Sequence, residues 1–429
     1  MQVPINFNEL LKEAQTFEKN NQTDQAIDIY NKIINTDVGK RKEGAINAIE
    51  EAIYKIAQLY ENQKRSQDLS KLNESVRPLF KDLPKAKTAK IVRTIIEHIG
   101  NIPNTLDSQI EICKESIEWA TREKRTFLRQ RIESRLAYLF YQRKEYDAAL
   151  KLTNNLIREV RRLDDKALLV EIHLVESKIH HALHDPSKAR AALTSSRTAA
   201  NAIYCPPLLQ AEIDLQSGIL HAEEKDYKTA YSYFYEAFEG FNNLNRSETH
   251  QMAVTTLKYL LLVKIMTNNA EEVQALLSSK NALKYSGQEV DSMRAVTNAY
   301  QDRSLYAFDQ AKQEYKSQLL DDPVIYTHLS ELYDNLLEQH LQRVIEPYSR
   351  VQISHVAELV GLTRDRVERK LSQMILDKKL NGILDQGKDC LVVFEEQKAD
   401  KTYPSALSTV DNMNVVLDSL FERARQLTK

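Results

Sequence analysis

Small residues recur along this chain at an interval of about forty residues, and this interval constrains the fold more than any other feature. Four alanines mark the first turn of predicted helices: Ala26, Ala149, Ala189 and Ala230. They are separated by 123, 40 and 41 residues, and 123 is three times 41. A fixed period of this length is typical of a solenoid in which helical hairpins stack one after another.

A second set of small residues stands twelve positions before these alanines: Ala14, Ala137, Ser177 and Gly218. Small side chains at both positions allow the two helices of a hairpin to cross at close range. This spacing resembles the tetratricopeptide repeat, most closely over residues 218–237. Ala57 and Leu69 indicate a further hairpin, although leucine replaces alanine there. We expect an all-α, right-handed solenoid of about seven or eight such hairpins.

Aromatic side chains at helical spacing accompany the small residues: Tyr138, Tyr227, Tyr231 and Phe234. Aromatic residues on one helix face usually fill the space between packed helices, and we expect the same here. A groove that binds a peptide is the alternative that the residues leave open.

Composition supports a helical body and excludes several functional classes. Glycine occurs 9 times and proline 10 times in 429 residues, and long helices tolerate neither in their interiors. The net charge of −2, with 28% charged residues, provides no overall attraction to nucleic acid or to an anionic membrane. The longest aliphatic run, residues 260–263, is far too short to span a bilayer.

The first residues and the cysteines indicate a reducing compartment. The start, MQVPINFNELLKEAQTF, lacks the basic residues and apolar core of a signal peptide. Cys113, Cys205 and Cys390 are far apart and odd in number, so they form neither a CxxC pair nor a disulfide framework. We therefore expect a cytoplasmic and nuclear protein.

Residues 353–394 follow a different pattern, in which two short helices precede a hairpin. Gly361 ends the first predicted helix, and Thr363 is the N-cap of the second. Apolar residues then alternate on both sides of a turn at residues 386–389. This order of elements is that of a winged helix, which binds duplex DNA or adds its hairpin strand to a neighbouring sheet.

Charge does not favour the DNA-binding alternative. Residues 340–397 contain nine basic and nine acidic residues, so this unit carries no net charge. A protein that binds duplex DNA needs uncompensated positive charge to displace counterions from the phosphates. We therefore expect this unit to bind protein and no nucleic acid.

The C-terminal residues predict a linker followed by a helix. Residues 398–404, KADKTYP, are polar and end in proline. In the helix predicted over 405–429, apolar residues recur at intervals of three and four: Val410, Met413, Leu417, Leu420, Ala424 and Leu427, with Phe421 beside them. An amphipathic helix after a polar linker is suited to a helical bundle with other chains. Packing on the chain's own solenoid is the alternative.

The sequence carries no motif of a catalytic or cofactor site. It lacks a Walker loop, GxGxxG, GxSxG and HExxH, and its glycines are too few for a phosphate cradle. One helix face has a spacing that suits zinc: His173, Glu176, His180 and His184. The repeat places His180 in the packed seam of a hairpin, so a packed or solvated histidine row is the preferred interpretation. We expect no enzyme activity, metal or cofactor.

A run of cations precedes and enters one predicted helix: Arg122, Lys124, Arg125, Arg129, Arg131 and Arg135. Glutamates at positions 118, 123 and 133 interrupt it. This mixture favours a solvated face, and contact with an acidic patch of a partner is the alternative.

The helical array followed by YSRVQISHVAELVGLTRDRVERKLSQMILDKKLNGILDQG resembles the PCI family. Its members are scaffolds of the proteasome lid, the signalosome and the eukaryotic translation initiation factor three complex. Segments 201–239 and 368–387 are similar, within that family, to the non-ATPase lid subunits that clamp the 26S regulatory particle to the 20S core. The resemblance covers most of the chain and is strongest from about residue 120 onward.

This resemblance implies a structural scaffold that assembles the regulatory particle and stabilises its association with the 20S core in ubiquitin-dependent degradation. It implies that the repeats contact a 20S core α-subunit and an ATPase of the base, and that the winged helix contacts a neighbouring PCI subunit. It implies no membrane and no small-molecule substrate. The implied sheet-edge residues are Ile383, Leu384, Leu391 and Val393. The implied bundle residues are Leu417, Leu420, Phe421 and Leu427.

The predicted domains are a solenoid over 1–335, a winged helix over 336–397, a linker over 398–404 and a bundle helix over 405–429. Two alternatives for the function remain. One is a PCI scaffold of the signalosome or of the initiation factor three complex, and the other is a winged-helix regulator that binds nucleic acid.

Overall fold

The computed structural model describes two compact units, one formed by Met1–Thr267 with Lys280–Tyr285 and the other by Asn268–Ser279 with Ser286–Lys429. The described residues are 10, 11, 13, 14, 16, 17, 23–35, 43–81, 84–102, 105–244, 247–267, 269–285, 287–320, 322–385, 387–394 and 402–427.

Helices follow one another through the first unit. They are α1 (Thr23–Asn35), α2 (Glu43–Asn62), α3 (Ser66–Val76), α4 (Lys85–Gly100), α5 (Leu106–Arg122), α6 (Thr126–Gln142), α7 (Tyr146–Leu163), α8 (Lys166–Ala182), α9 (Pro186–Asn201), α10 (Pro207–Glu223), α11 (Tyr227–Leu244) and α12 (Ser247–Met266). A 3₁₀ helix, Arg77–Lys81, follows α3.

The chain continues with α13 (Ala270–Leu277), the short α14 (Lys280–Leu283) of the first unit, α15 (Gln288–Gln301), α16 (Leu305–Glu314), α17 (Lys316–Leu320) and α18 (Pro323–Ile345). The remaining elements are β1 (Arg350–Gln352), α19 (Ile353–Val360), α20 (Arg364–Leu376), β2 (Gly382–Asp385), β3 (Cys390–Val393) and α21 (Thr402–Leu427). The predicted fold class, stacked helical hairpins followed by a winged helix and a final helix, is confirmed.

The small residues lie where the repeat predicts them, in the contact between the two helices of a hairpin. Seven are at most 1% exposed: Ala14, Ala26, Ala137, Ala149, Ser177, Ala189 and Ala230. At Gly218 a Cβ atom would stand only 2.6 Å from Cε1 of Phe234. Both Ala57 and Leu69 are fully buried as well, and they lie on the successive helices α2 and α3, as the further hairpin predicts.

Six turns between helices share one backbone geometry. Each places a non-glycine residue in the left-handed region, with φ between 51° and 66°: Lys64, Lys124, Lys144, His184, Lys225 and Arg303. At the turn after α6 the amide of Lys144 donates to Tyr141, and that of Glu145 donates to Phe140, both at 3.0 Å. These bonds satisfy carbonyl groups that the end of a helix leaves without partners. They reverse the chain within three residues.

The aromatic residues confirm the packing interpretation in part. Phe234 is 1% exposed and its ring lies 5.6 Å from that of Tyr259. Tyr138 and Tyr231 are only half-buried, and a lysine lies over each ring: Lys178 at 5.7 Å from the first and Lys264 at 4.1 Å from the second.

The winged helix lies in the second unit, after α18. Its sheet is antiparallel with strand order β1-β3-β2, so that β3 occupies the centre. Leu391 of β3 stands opposite Val351 on one side and Leu384 on the other. Gly361 ends α19 with a φ of 73°, as its position at the end of the apolar pattern predicts.

Two element boundaries differ from the sequence interpretation. Positions 335 and 336, between the predicted solenoid and winged helix, fall inside the continuous helix α18. The final helix begins at Thr402 and includes Pro404 in its first turn. Proline is tolerated there because the N–H groups of the first turn have no partner within the helix. Residues 398–401 of the predicted linker lie outside the described residues.

Across the described helices, none is both long and apolar enough to cross a membrane.

Candidate interaction surfaces

The C-terminal helix α21 presents its apolar stripe to solvent. Val410, Met413, Leu417, Leu420 and Phe421 are each more than half exposed, and no described side chain of this helix is buried. Within the second unit, the helix therefore packs against no other described element. A stripe of this length favours contact with a partner, because burial of apolar surface is favourable. Leu427 ends the helix, and its side chain lies outside the described residues.

The sheet of the winged helix has a free edge along β2, which pairs only with β3 in the part of the chain that is described. Ile383 of this strand is 57% exposed, and Leu384 is half-buried. Leu391 is fully buried and, like Val393, lies in the central strand. The structure thus places two of the four predicted residues on the free edge. Leu391 packs inside the unit and is not available to a partner.

Three cations of α20, the second helix of the winged helix, have partners within the second unit. Arg364 pairs with Asp389, and the guanidinium of Arg366 lies 5.5 Å from the ring of Tyr333. Lys370 pairs with Glu338 of α18 at 3.0 Å. Charge that is already compensated releases few counterions from a phosphate backbone, so this arrangement does not favour DNA binding.

Glu338 connects α18 to the winged helix. Its second carboxylate oxygen lies 2.5 Å from Nζ of Lys379, and only 13% of the side chain is exposed. Burial acts to raise the pKa of Glu338, but the hydrogen bonds from Lys379 and Lys370 outweigh burial and lower it. Glu338 and Lys379 line a cleft of about 370 Å³ together with Asn335, Gln339, Gln342 and Met374.

A chain of polar contacts crosses the face that α6, α8 and α10 share. The ring of Tyr138 lies beneath Arg135 at 5.5 Å and beneath Lys178 at 5.7 Å. Lys178 in turn pairs with Glu212 at 2.9 Å. Burial acts to lower the pKa of Lys178, but the attraction of Glu212 outweighs it and raises the pKa. Because these groups satisfy one another, the face holds three hairpins together and offers few unpaired groups to a bound peptide.

The histidine row does not form a metal site. His173 is 5% exposed, and its Nδ1 lies 2.8 Å from a carboxylate oxygen of Glu176. Within the described ranges, no group of three or more His, Cys, Asp or Glu side chains could hold a metal ion.

The run of cations that begins at Arg122 is only partly solvated. Arg125 lies 4.9 Å from the ring centre of Trp119 and donates to the carbonyl of Phe80 at 3.3 Å. Arg129 pairs with Glu159 on the next helix. These arginines therefore join neighbouring helices, a role that the sequence pattern did not indicate. Sequence reasoning also missed Glu338 and the pair between Lys178 and Glu212, whose partners are distant along the chain.

Stacked hairpins, a winged helix with a free sheet edge and an exposed terminal helix define a helical scaffold of the PCI class. A model of the PCI domain matches residues 312–395. The model of the 26S proteasome regulatory subunit RPN6 N-terminal domain matches residues 7–143, and that of the RPN6 C-terminal helix domain matches residues 399–425. The chain belongs to the RPN6 family of 26S proteasome regulatory subunits.

Curated relatives cover almost the whole chain. A 26S proteasome non-ATPase regulatory subunit 11 homolog of Arabidopsis thaliana is 56% identical over 383 residues, which are 89% of this chain and 90% of that protein. A probable 26S proteasome regulatory subunit rpn6 of Schizosaccharomyces pombe is 50% identical over 96% of this chain and 97% of its own length. The 26S proteasome regulatory subunit RPN6 of Saccharomyces cerevisiae is 42% identical over 97% and 98%.

Proposed function

We propose that this chain is a structural scaffold subunit of the proteasome lid. It assembles the regulatory particle and stabilises its association with the 20S core, so that ubiquitylated proteins are degraded. The names of its relatives, which are regulatory and in one case non-ATPase subunits, support this role. The structural observation that carries the proposal is the exposed apolar stripe of α21.

The proposed partners are of three kinds. They are other PCI subunits of the lid, an ATPase subunit of the base and an α-subunit of the 20S core. The chain acts in the cytoplasm and nucleus, without catalysis, cofactor or nucleic acid. Scaffold roles in the signalosome or the initiation factor three complex are disfavoured, because both terminal family models are those of a proteasome subunit.

Two docking surfaces lie near the C-terminus. Leu417, Leu420, Phe421 and Leu427 enter a helical bundle with other lid subunits. Ile383 and Leu384 line the sheet edge that meets a neighbouring PCI subunit. Two modest contacts on one chain give a high effective concentration at the second site once the first has formed. The chain therefore holds its partners firmly without any single large interface.

Deletion of residues 402–429 tests this proposal. Tagged full-length and truncated chains are expressed in cells, and their recovery with intact proteasomes is measured on native gels. We expect the truncated chain to remain folded and to be lost from the particle. Leu420→Asp should have the same effect, whereas Ser419→Asp, outside the apolar stripe of α21, should not. Normal incorporation of the truncated chain would contradict the proposed role of the helix.

A further inference from the structure

Three successive connections between hairpins each expose a large apolar side chain. Phe127 stands at the start of α6 and is 64% exposed, Leu163 ends α7 and is 48% exposed, and Tyr204 precedes α10 and is 92% exposed. The helices α6, α8 and α10 are the first helices of their hairpins, and α8 contacts both of the others. The three side chains therefore lie along one edge of the first unit, here called the inter-hairpin edge.

Exposed cations adjoin two of these three side chains. Lys124 precedes Phe127, and Arg161 and Arg162 precede Leu163. None of these three cations pairs with an acidic side chain among the residues that the structure describes. Arginine and aromatic side chains are enriched in protein interfaces, where they contribute a large share of the binding free energy.

The opposite edge of the same hairpins differs. There the turns carry Lys144 and His184, and Leu183 is the large apolar residue, at 38% exposure. The cation beside Lys144 is compensated, because Arg143 pairs with Asp107 at 3.2 Å and with Glu145 at 3.1 Å. The opposite edge thus carries one large exposed apolar side chain beside Lys144, whereas the inter-hairpin edge carries three such side chains and three cations without an acidic partner among the described residues.

We propose that the inter-hairpin edge docks a protein partner whose contacting surface is acidic and carries apolar side chains. Neighbouring packed helices lie about 8–10 Å apart, so the three anchors span roughly 20 Å. An acidic amphipathic helix of about four turns covers this length. Phe127, Leu163 and Tyr204 contact its apolar stripe, and Lys124, Arg161 and Arg162 pair with its carboxylates. This inference rests on the proposed function, because it places the partner in the proteasome.

A matched pair of double variants of the full-length chain tests the edge. The first combines Lys124→Glu with Leu163→Ala. The control combines Lys144→Glu with Leu183→Ala, which makes the same chemical changes at the opposite edge, and both lysines occupy left-handed turn positions. Binding to purified regulatory particles depleted of this subunit is measured by fluorescence anisotropy, after circular dichroism has shown equal helix content. We expect the first variant to bind at least about tenfold more weakly, and the control to bind within about twofold of the wild type.

A photo-crosslinking residue in the assembled particle identifies the partner surface. Tyr204→p-benzoylphenylalanine is incorporated, irradiated and analysed by mass spectrometry. A cross-link to a peptide with excess Asp and Glu supports the inference, and a cross-link to a basic or uncharged peptide, or none, overturns it. Equal affinities of the two double variants also overturn it. If the wild-type chain itself fails to enter the particles, the proposed function falls, and this inference with it.

Discussion

The hydroxyl group of Ser177 on α8 donates a 2.9 Å hydrogen bond to the main-chain carbonyl of Ala189 on α9, twelve residues later. A side chain can reach the backbone of a neighbouring helix in this way only if the two helices cross very closely. Both residues are fully buried. The contact explains why the sequence repeats small residues at this spacing, since a larger side chain at either position would separate the helices.

Gly218 is the tightest of these crossings, and we expect Gly218→Ala to destabilise the fold. The new methyl group would stand 2.6 Å and 2.7 Å from two carbon atoms of the Phe234 ring, which is itself fully buried. Overpacking of this kind costs about 1–3 kcal/mol of unfolding free energy. Urea denaturation followed by circular dichroism measures the loss.

Two further variants separate the clash from the general effect of alanine. Gly287→Ala introduces the same methyl group where no atom lies within 4 Å, so its stability should stay the same or rise slightly. Phe234→Leu together with Gly218→Ala should recover part of the loss, because the smaller side chain leaves room. Equal stability of Gly218→Ala and the wild type would show that the helices can move apart at no cost.

The repeat could be predicted from sequence because each hairpin uses the same local contact, which leaves a periodic trace of small residues such as Ala137 and Ala149. The position of Leu391 could not be predicted in the same way. Alternation of apolar residues determines which face of a strand is buried, but it does not give the order of the strands. The short strand β1 pairs with β3 and makes it central, which buries Leu391.

Long-range polar contacts leave no periodic pattern in the sequence. Glu338 meets Lys370 and Lys379 only after the chain has built the winged helix, and nothing near Glu338 in the sequence marks it as different from an exposed glutamate. The exposed stripe of α21, by contrast, could be predicted from the sequence, because its three- and four-residue spacing is visible directly in residues 410–424.

The pair between Lys178 and Glu212 gives a second prediction. Their side chains are only 19% and 21% exposed, and the lysine also covers the ring of Tyr138. Lys178→Met leaves Glu212 without its partner, and we expect a loss of about 1–3 kcal/mol in unfolding free energy. Lys178→Met combined with Glu212→Leu should recover at least half of this loss, because no charge is then left unpaired. A double-mutant cycle by urea denaturation measures the coupling, and additive losses would argue against the pair.

The left-handed turns predict a substitution that stabilises the fold. Lys144 has a φ of 66°, which a glycine adopts with less strain. We expect Lys144→Gly to raise the unfolding free energy by about 1 kcal/mol. Lys151→Gly, at an exposed position inside α7, is the matched control and should lower it by about 1 kcal/mol. Thermal denaturation compares the two, and a loss of stability in both would show that the Lys144 side chain contributes more than its backbone strain costs.

The ion pairs of Glu338 predict how stability depends on pH. Lys379 and Lys370 hold the pKa of this carboxyl below its unfolded value of about 4.3, despite the opposing effect of burial. A lowered folded-state pKa means that the contribution is present above the unfolded pKa and is lost as the pH falls through the folded pKa. We expect Glu338→Gln to lose about 1–3 kcal/mol near neutral pH, since it leaves two lysines without their partner. The difference from the wild type should shrink below about pH 4, where the wild-type carboxylate takes up a proton.

Asp389 provides the control for this titration. Its pair with Arg364 is about half exposed on both sides, so water and salt screen it. Asparagine also tolerates the left-handed backbone at this position, where φ is 50°. Asp389→Asn should therefore change the unfolding free energy by less than about 1 kcal/mol. Urea titrations of both variants from neutral to acidic pH make the comparison. A Glu338→Gln deficit that stays constant through the acidic range would mean that packing in the cleft, and not the carboxylate charge, holds α18 against the winged helix.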